Sequence, residues 1–139
     1  MFDYIQEMLE DFHKVNPNKT ISITPAADHL FKVRYDQTKL DEKKAQVFHT
    51  FTAISLFATK LARPDIHTSV AFLTTRVICP DEYDWNKLLC MMRYLCGTKE
   101  LPLILSADYT NIVKWWVDRS YGIHPDARSQ TGGTASLGK

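Results

Sequence analysis

The chain has 139 residues, of which 45% are hydrophobic, and a formal net charge of +1. This length allows one domain or parts of two, and the near-neutral charge argues against a strongly basic nucleic-acid-binding module. No apolar run approaches the roughly 20 residues that a membrane span needs. Cys79, Cys90 and Cys96 form an odd set without paired spacing, which favours a reducing compartment and structural thiols over a disulfide framework.

The N-terminal third is predicted to be one short helix followed by a connector. Residues 2–12 have apolar residues at helical spacing, and the simplest interpretation is a packing helix. Asn16-Pro17-Asn18 has the composition of a turn. Alternating residues predict a short strand at 20–24, and residues 30–35 are expected either to form an edge strand or to lie across the helices.

The stretch from Phe48 to Thr98 holds most of the apolar mass and predicts three helices separated by Pro64 and Pro80. The first helix is expected to begin near Asp41, and Pro64 suits the first turn of the second. The acidic residues Asp81, Glu82 and Asp84 are expected at the start of the third helix, and Gly97 is expected to be its left-handed C-terminal cap. The predicted buried stripes are Phe48, Phe51, Ile54, Ala58 and Leu61; Ile66, Val70, Leu73 and Val77; and Trp85, Leu88, Leu89, Met92 and Leu95.

The C-terminal part predicts a β-hairpin. Residues 112–118 are β-branched and aromatic and end in a carboxylate, Asp118, and a second strand is expected from Thr131 to Leu137. A shorter apolar run at 101–106 is a further candidate strand. The predicted fold class is therefore α+β, mainly helical with about four helices and a C-terminal β-hairpin.

Asp118 is the candidate metal ligand and catalytic carboxylate. A carboxylate at the end of an apolar strand suits a hard cation such as Mg²⁺, which prefers oxygen ligands on a rigid element. The alternative is a strand-end aspartate that caps a turn. The five histidines lack the spacing of zinc ligands, and glycine-rich phosphate loops are absent from the sequence.

An ordered set of motifs resembles the segment downstream of the polymerase active site in copia-type retrotransposon polyproteins. The matching residues are Ala62-Arg63-Pro64-Asp65-Ile66, Pro80, Trp85 and Arg93-Tyr94-Leu95-x-Gly97-Thr98. The resemblance implies that residues 1–39 are the end of the reverse transcriptase thumb plus a linker. It implies that residues 40–100 are a helical connection region and that residues 101–139 are the incomplete start of a ribonuclease H-like sheet.

The same resemblance extends to the predicted hairpin. The run from Val117 through Tyr121-Gly122, His124-Pro125, Asp126 and Arg128 to Gly133 matches the opening of that family's ribonuclease H. The resemblance makes Asp118 the first metal-binding carboxylate. Arg119 and Ser120 depart from the family pattern, and a cation beside Asp118 would compete with a metal.

Catalysis by this chain alone is not expected. Two-metal hydrolysis needs several carboxylates around metals about 3.5–4 Å apart, and the sequence after Asp118 offers no convincing second strand-borne acid. The paired aspartates of the polymerase (Tyr-x-Asp-Asp) do not occur either. Mg²⁺ is thus a cofactor that the resemblance implies for the parent polyprotein, and stable binding by this chain is not expected.

The resemblance implies a template–primer duplex, RNA–DNA or DNA, and the remainder of the polyprotein as partners, and a cytoplasmic particle or the nucleus as location. Arg63, Arg93 and Lys99 are the candidate contacts to phosphate, with Arg76 and Lys87 as further cations of the same stretch. The alternative for each is a solvated helix surface. The rival function is a small helical protein–protein interaction module without a nucleic-acid role.

Overall fold

The computed structural model describes residues 1–18, 20–122 and 129–138, and the chain divides into two units, Met1–Pro102 and Leu103–Lys139. The first unit holds the helices α1 (Phe2–Val15), α2 (Glu42–Leu61), α3 (His67–Thr74) and α4 (Glu82–Gly97), with a 3₁₀ turn (Pro64–Ile66) before α3. The second holds the strands β1 (Lys114–Ser120) and β2 (Gln130–Ser136). The predicted fold class, mainly helical α+β with a C-terminal hairpin, is confirmed. Both predicted segments 1–39 and 40–100 lie in the first unit.

Capping and proline chemistry set the helix boundaries. Asp41 caps α2, because its side chain accepts a hydrogen bond from the Lys44 amide at 2.7 Å. Pro64 stands in the first turn of the 3₁₀ segment, where a missing N–H costs nothing. Asp81 and Asp84 form a reciprocal capping box at the start of α4. The helix starts at Asp41, Pro64 and Asp81 were all predicted from sequence.

The core of the first unit lies between α1, α2, α3 and α4. Phe12 is its aromatic centre, with a ring centroid 4.9 Å from that of Phe51 and 6.2 Å from that of Trp85. Other fully buried core residues come from the predicted stripes, namely Phe48, Ala58, Ile66, Val70, Leu73, Leu88 and Leu95. The apolar stripes at helical spacing therefore predict most of the core, although Leu61 and Phe2 are exposed.

Helices α2 and α4 run in the same direction, and a polar side-chain contact joins the two helices at each end. At their N-terminal ends, Lys44 Nζ lies 2.7 Å from a Glu82 carboxylate oxygen. Beyond their C-terminal ends, Arg63 donates to the Thr98 carbonyl at 2.9 Å. The 3₁₀ turn and α3 form the crossover that this arrangement requires.

The connector before α2 contains turns and bends, so the strand predicted at 20–24 is wrong. Residues 30–35 form no edge strand and instead lie against the helices, with Phe31 on Phe72 and Arg34 over the Tyr83 ring. Polar contacts with the helices replace a sheet ladder: Lys87 Nζ donates to the Lys32 carbonyl at 2.6 Å, and Ser69 Oγ donates to the Pro25 carbonyl at 3.1 Å. The run 101–106 is not a strand either. Alternation alone misleads here because no second strand lies beside these segments among the described residues.

Gly97 is the last residue of α4, and its backbone is not in the left-handed region, so the predicted left-handed cap is wrong. A Cβ built on Gly97 would meet the side-chain Cγ2 of Ile21 closer than real Cβ atoms approach other atoms, so a larger residue requires that exposed side chain to move. The Ile21 side chain of the connector therefore packs beside the end of α4.

In the second unit, β1 and β2 form an antiparallel hairpin in which Lys114 is opposite Ser136 and Asp118 is opposite Gly132. The strand starts and ends two residues later than predicted, so Asp118 lies inside β1 rather than at its end. Among residues 1–18, 20–122 and 129–138, no helix has the length and apolarity to cross a membrane.

Removal of the Asp81 cap is expected to destabilise the helical unit. Asp81 is 1% exposed and accepts hydrogen bonds from the amides of Tyr83 and Asp84, both at 2.9 Å. Asp81→Ala should lower the free energy of unfolding by about 2 kcal/mol, because it removes the cap and leaves two buried amides unpaired. Urea denaturation followed by far-ultraviolet circular dichroism measures this loss. Asp81→Asn keeps the acceptor oxygen and should lose less; an equal loss in both variants would contradict the capping role.

Candidate functional site

Arg63 lies in the centre of the best-defined polar site of the helical unit. The residue is 1% exposed. Its Nη2 donates to Asp65 Oδ2 at 2.7 Å and to Thr98 Oγ1 at 2.7 Å, and its Nη1 donates to the Thr98 carbonyl at 2.9 Å. The planar guanidinium thereby satisfies a carboxylate and the C-terminal end of α4 at once, a geometry that a lysine cannot reproduce.

Tyr94 completes this network. Its hydroxyl donates to Asp65 Oδ2 at 2.9 Å, and its ring centroid lies 5.6 Å from Arg63 Cζ. Thr98 in turn donates to the Tyr94 carbonyl at 2.8 Å. Residues 35 positions apart in sequence therefore meet in one cluster, which we call the Arg63 network: Arg63, Asp65, Tyr94 and Thr98.

Burial and hydrogen bonding shift two pKa values in the Arg63 network. Partial burial by itself would raise the pKa of Asp65, but the hydrogen bonds from Arg63 and Tyr94 outweigh it, and the pKa lies below its ordinary value. Burial raises the pKa of Tyr94, and its hydrogen bond to the Asp65 carboxylate raises it further. The network is thus most stable with Asp65 ionised and Tyr94 protonated.

The three predicted phosphate contacts, Arg63, Arg93 and Lys99, lie in different environments. Arg63 is inside the Arg63 network, so a phosphate could reach it only if that network opened. Lys99 is exposed in the turn that follows α4, and no ion pair engages it within the described ranges. Arg93 is half-buried and lines a cavity of about 10 Å³; its Nε is buried and lacks a hydrogen-bond partner in the described part of the chain. Of the three, Lys99 therefore has the most accessible charge.

A second ionic cluster surrounds the start of α4, and sequence reasoning did not find it. Arg76 Nε lies 2.9 Å from Asp84 Oδ2, and Lys87 Nζ lies 3.7 Å from Asp84 Oδ1. Lys87 is also 4.3 Å from the Phe72 ring centroid and 4.4 Å from that of Tyr83. Burial lowers the pKa of Lys87, while the Asp84 carboxylate acts in the opposite direction. The acidic start of α4 was visible in the sequence, but its cationic partners depend on how α3 and the connector pack.

Asp118 is exposed in the hairpin, and its Oδ1 accepts a hydrogen bond from the Arg119 amide at 2.9 Å. Within 1–18, 20–122 and 129–138, no group of three or more His, Cys, Asp or Glu side chains is placed to hold a metal ion. A single exposed carboxylate does not fit the six oxygen ligands that Mg²⁺ prefers. His124, Pro125, Asp126 and Arg128 of the matched motif lie outside the described residues.

Comparison with known proteins finds no protein-family model that matches the chain and no solved structure that matches it.

The Arg63 network predicts that arginine is required at position 63. Arg63→Lys keeps the charge but cannot contact Asp65 and both Thr98 oxygens together, so the free energy of unfolding should fall by about 2 kcal/mol. Chemical denaturation of the helical unit measures this. The same exchange at exposed Arg119 on β1 is the control and should leave that transition unchanged. A loss under about 0.5 kcal/mol for Arg63→Lys would contradict the bridging role.

The lowered pKa of Asp65 predicts acid sensitivity. Its ionised form is stabilised in the folded state, so the stability gained is fully present above the ordinary pKa of about 4 and is lost as pH falls through the folded-state pKa. The difference in unfolding free energy between wild type and Asp65→Asn should therefore shrink below about pH 4. Denaturation curves across a pH series test this; a difference that stays constant in acid would refute the assignment.

Proposed function

We propose that the chain comprises the end of the reverse transcriptase thumb with its linker, the helical connection region and the incomplete start of the ribonuclease H-like domain of a copia-type retrotransposon polyprotein. The parent protein would copy RNA into DNA and cleave the RNA of the resulting hybrid. The chain itself would be a non-catalytic scaffold that contacts the template–primer duplex.

The observation that carries this proposal is the convergence of the two motifs that bear the resemblance. Arg63 and Asp65 come from the first motif, and Tyr94 and Thr98 come from the second. Their side chains join in the Arg63 network, while Ile66 and Leu95 of the same motifs are fully buried. Gly97 of the second motif lies beside the Ile21 side chain. The motif residues thus act together in one folded unit, as expected of an architectural element rather than a chance match.

Duplex contact is assigned to Lys99 and Arg93. Arg93 belongs to the second motif and Lys99 directly follows it, and the Arg63 network fixes the end of α4 next to Lys99. Arg63 is a positioning residue in this scheme, because its donors are used within the protein. Ionic contact with phosphates releases counterions, so binding should weaken steeply with salt.

Catalysis is assigned elsewhere in the parent. Asp118 is the one carboxylate carried by β1 and β2, and the described residues place no group of three or more His, Cys, Asp or Glu side chains around a metal position, whereas two-metal cleavage needs several carboxylates. By resemblance, Asp118 corresponds to the first carboxylate of ribonuclease H.

Binding to an RNA–DNA hybrid tests the proposal. Fluorescence anisotropy with a labelled hybrid across a salt series should give a log K against log[salt] slope of about −2, as expected for two phosphate contacts. Lys99→Ala and Arg93→Ala should each weaken binding and reduce the slope by about 1. Lys43→Ala is the control, since Lys43 is exposed at the opposite end of the α2–α4 pair and should leave binding unchanged.

Three outcomes of the same titration would contradict the proposal. They are an absence of binding, binding that is insensitive to salt, and an equal loss in the Lys43 control. Salt-insensitive binding of a protein partner would instead favour the interaction-module hypothesis. Mg²⁺-dependent cleavage of the hybrid by the isolated chain would refute the non-catalytic role.

A further inference from the structure

Strand β1 has an outer edge that pairs with no other strand among the described residues. In the described part of the second unit, β1 pairs with β2 and with no other strand. A two-stranded hairpin is marginally stable in water, and an open edge offers unpaired N–H and C=O groups to another strand. This edge is therefore a candidate for strand addition.

Large apolar side chains occupy both faces of β1 and are exposed. Trp115 is 72% exposed and Val117 is 70% exposed on one face, and Trp116 is 45% exposed on the other. Successive residues of a strand point to opposite faces, so a covering layer on one face would leave the other uncovered. A strand added at the outer edge of β1 brings its own side chains next to those on both faces of β1.

The charges of β1 indicate which strand fits this edge. Lys114 and Asp118 lie on one face with Trp116 midway between them, and Trp115 and Val117 lie on the other. We propose that β1 pairs antiparallel with β1 of a second copy, in the register centred on Trp116. Lys114 of each copy then faces Asp118 of the other, Trp115 faces Val117, and the two Trp116 side chains face each other.

A shifted register, or pairing through the edge of β2, gives fewer favourable cross-strand pairs. Centring the pair on Val117 would place Trp115 opposite Arg119 and Trp116 opposite Asp118, and both Lys114–Asp118 pairs would be lost. The outer edge of β2 carries Gly132 and Gly133 and no charge between Thr131 and Ser136, so it offers neither strand propensity nor charge selection. Within its own chain Lys114 contacts Asp108, and the second carboxylate would join that contact.

The resulting dimer is closed. Two-fold pairing through β1 gives a four-stranded sheet in the order β2-β1-β1-β2, in which the same patch of each copy meets itself. The inference rests on the hairpin alone and does not depend on the proposed function.

Charge reversal tests the register on the full-length chain by sedimentation velocity over a concentration series. Wild type should dimerise reversibly. Lys114→Glu places a second carboxylate opposite Asp118, and Asp118→Lys places two ammonium groups opposite each other, so each variant alone should dimerise about tenfold more weakly. An equimolar mixture of the two variants should recover wild-type affinity as a heterodimer, because both cross-strand pairs are again of opposite charge.

Two control variants distinguish the loss of cross-strand charge pairs from a general loss of folding. The double variant Lys114→Glu/Asp118→Lys restores both pairs and should dimerise as wild type does. Lys43→Glu makes the same charge change on α2 and should have no effect. A monomeric wild type, single variants that dimerise normally, or a mixture and a double variant that stay as weak as the single variants would each overturn the proposal.

Discussion

The buried guanidinium of Arg63 is the interaction on which the helical unit depends. It joins the turn after α2 to the end of α4, and it does so with hydrogen bonds to Asp65 and to two oxygens of Thr98. A buried cation is costly unless its donors are satisfied, so this geometry leaves little freedom in how the two helices end. The parallel arrangement of α2 and α4, and with it the place of α3 between them, follows from this constraint together with the apolar core.

The opposite end of α4 is held by a different kind of cluster. There Asp84 lies between Arg76 and Lys87, and Lys87 also lies against the rings of Phe72 and Tyr83. Through the carbonyl of Lys32 this cluster also fixes the connector, which has no sheet ladder to hold it. Ionic groups thus fix the position of α4 at both of its ends, and apolar packing holds its middle. Such groups are better understood as specifying one arrangement than as adding much net stability.

The two units differ in how they use apolar residues. The helical unit buries Phe48, Ile66, Leu73 and Leu95 completely, whereas the hairpin leaves Trp115 and Val117 largely exposed. A hairpin of this kind needs further strands or another surface to cover it. The proposed polyprotein and the proposed β1–β1 dimer are two ways of supplying that cover, and they depend on separate observations.

The sequence by itself determined the parts of this protein that depend on local chemistry. Pro64, the caps Asp41 and Asp81, and the apolar spacing set the helix starts and most of the core, because each acts within a few residues of its own backbone. Helix α3 ends at Thr74, before it reaches Pro80. Tertiary structure alone decided what Arg63, Lys87 and Gly97 do, since their partners Thr98, Lys32 and Ile21 are distant in sequence. It also placed Asp118 inside a strand, left residues 20–24 without a strand and decided that residues 30–35 lie against the helices, because a strand requires a neighbour that alternation cannot supply.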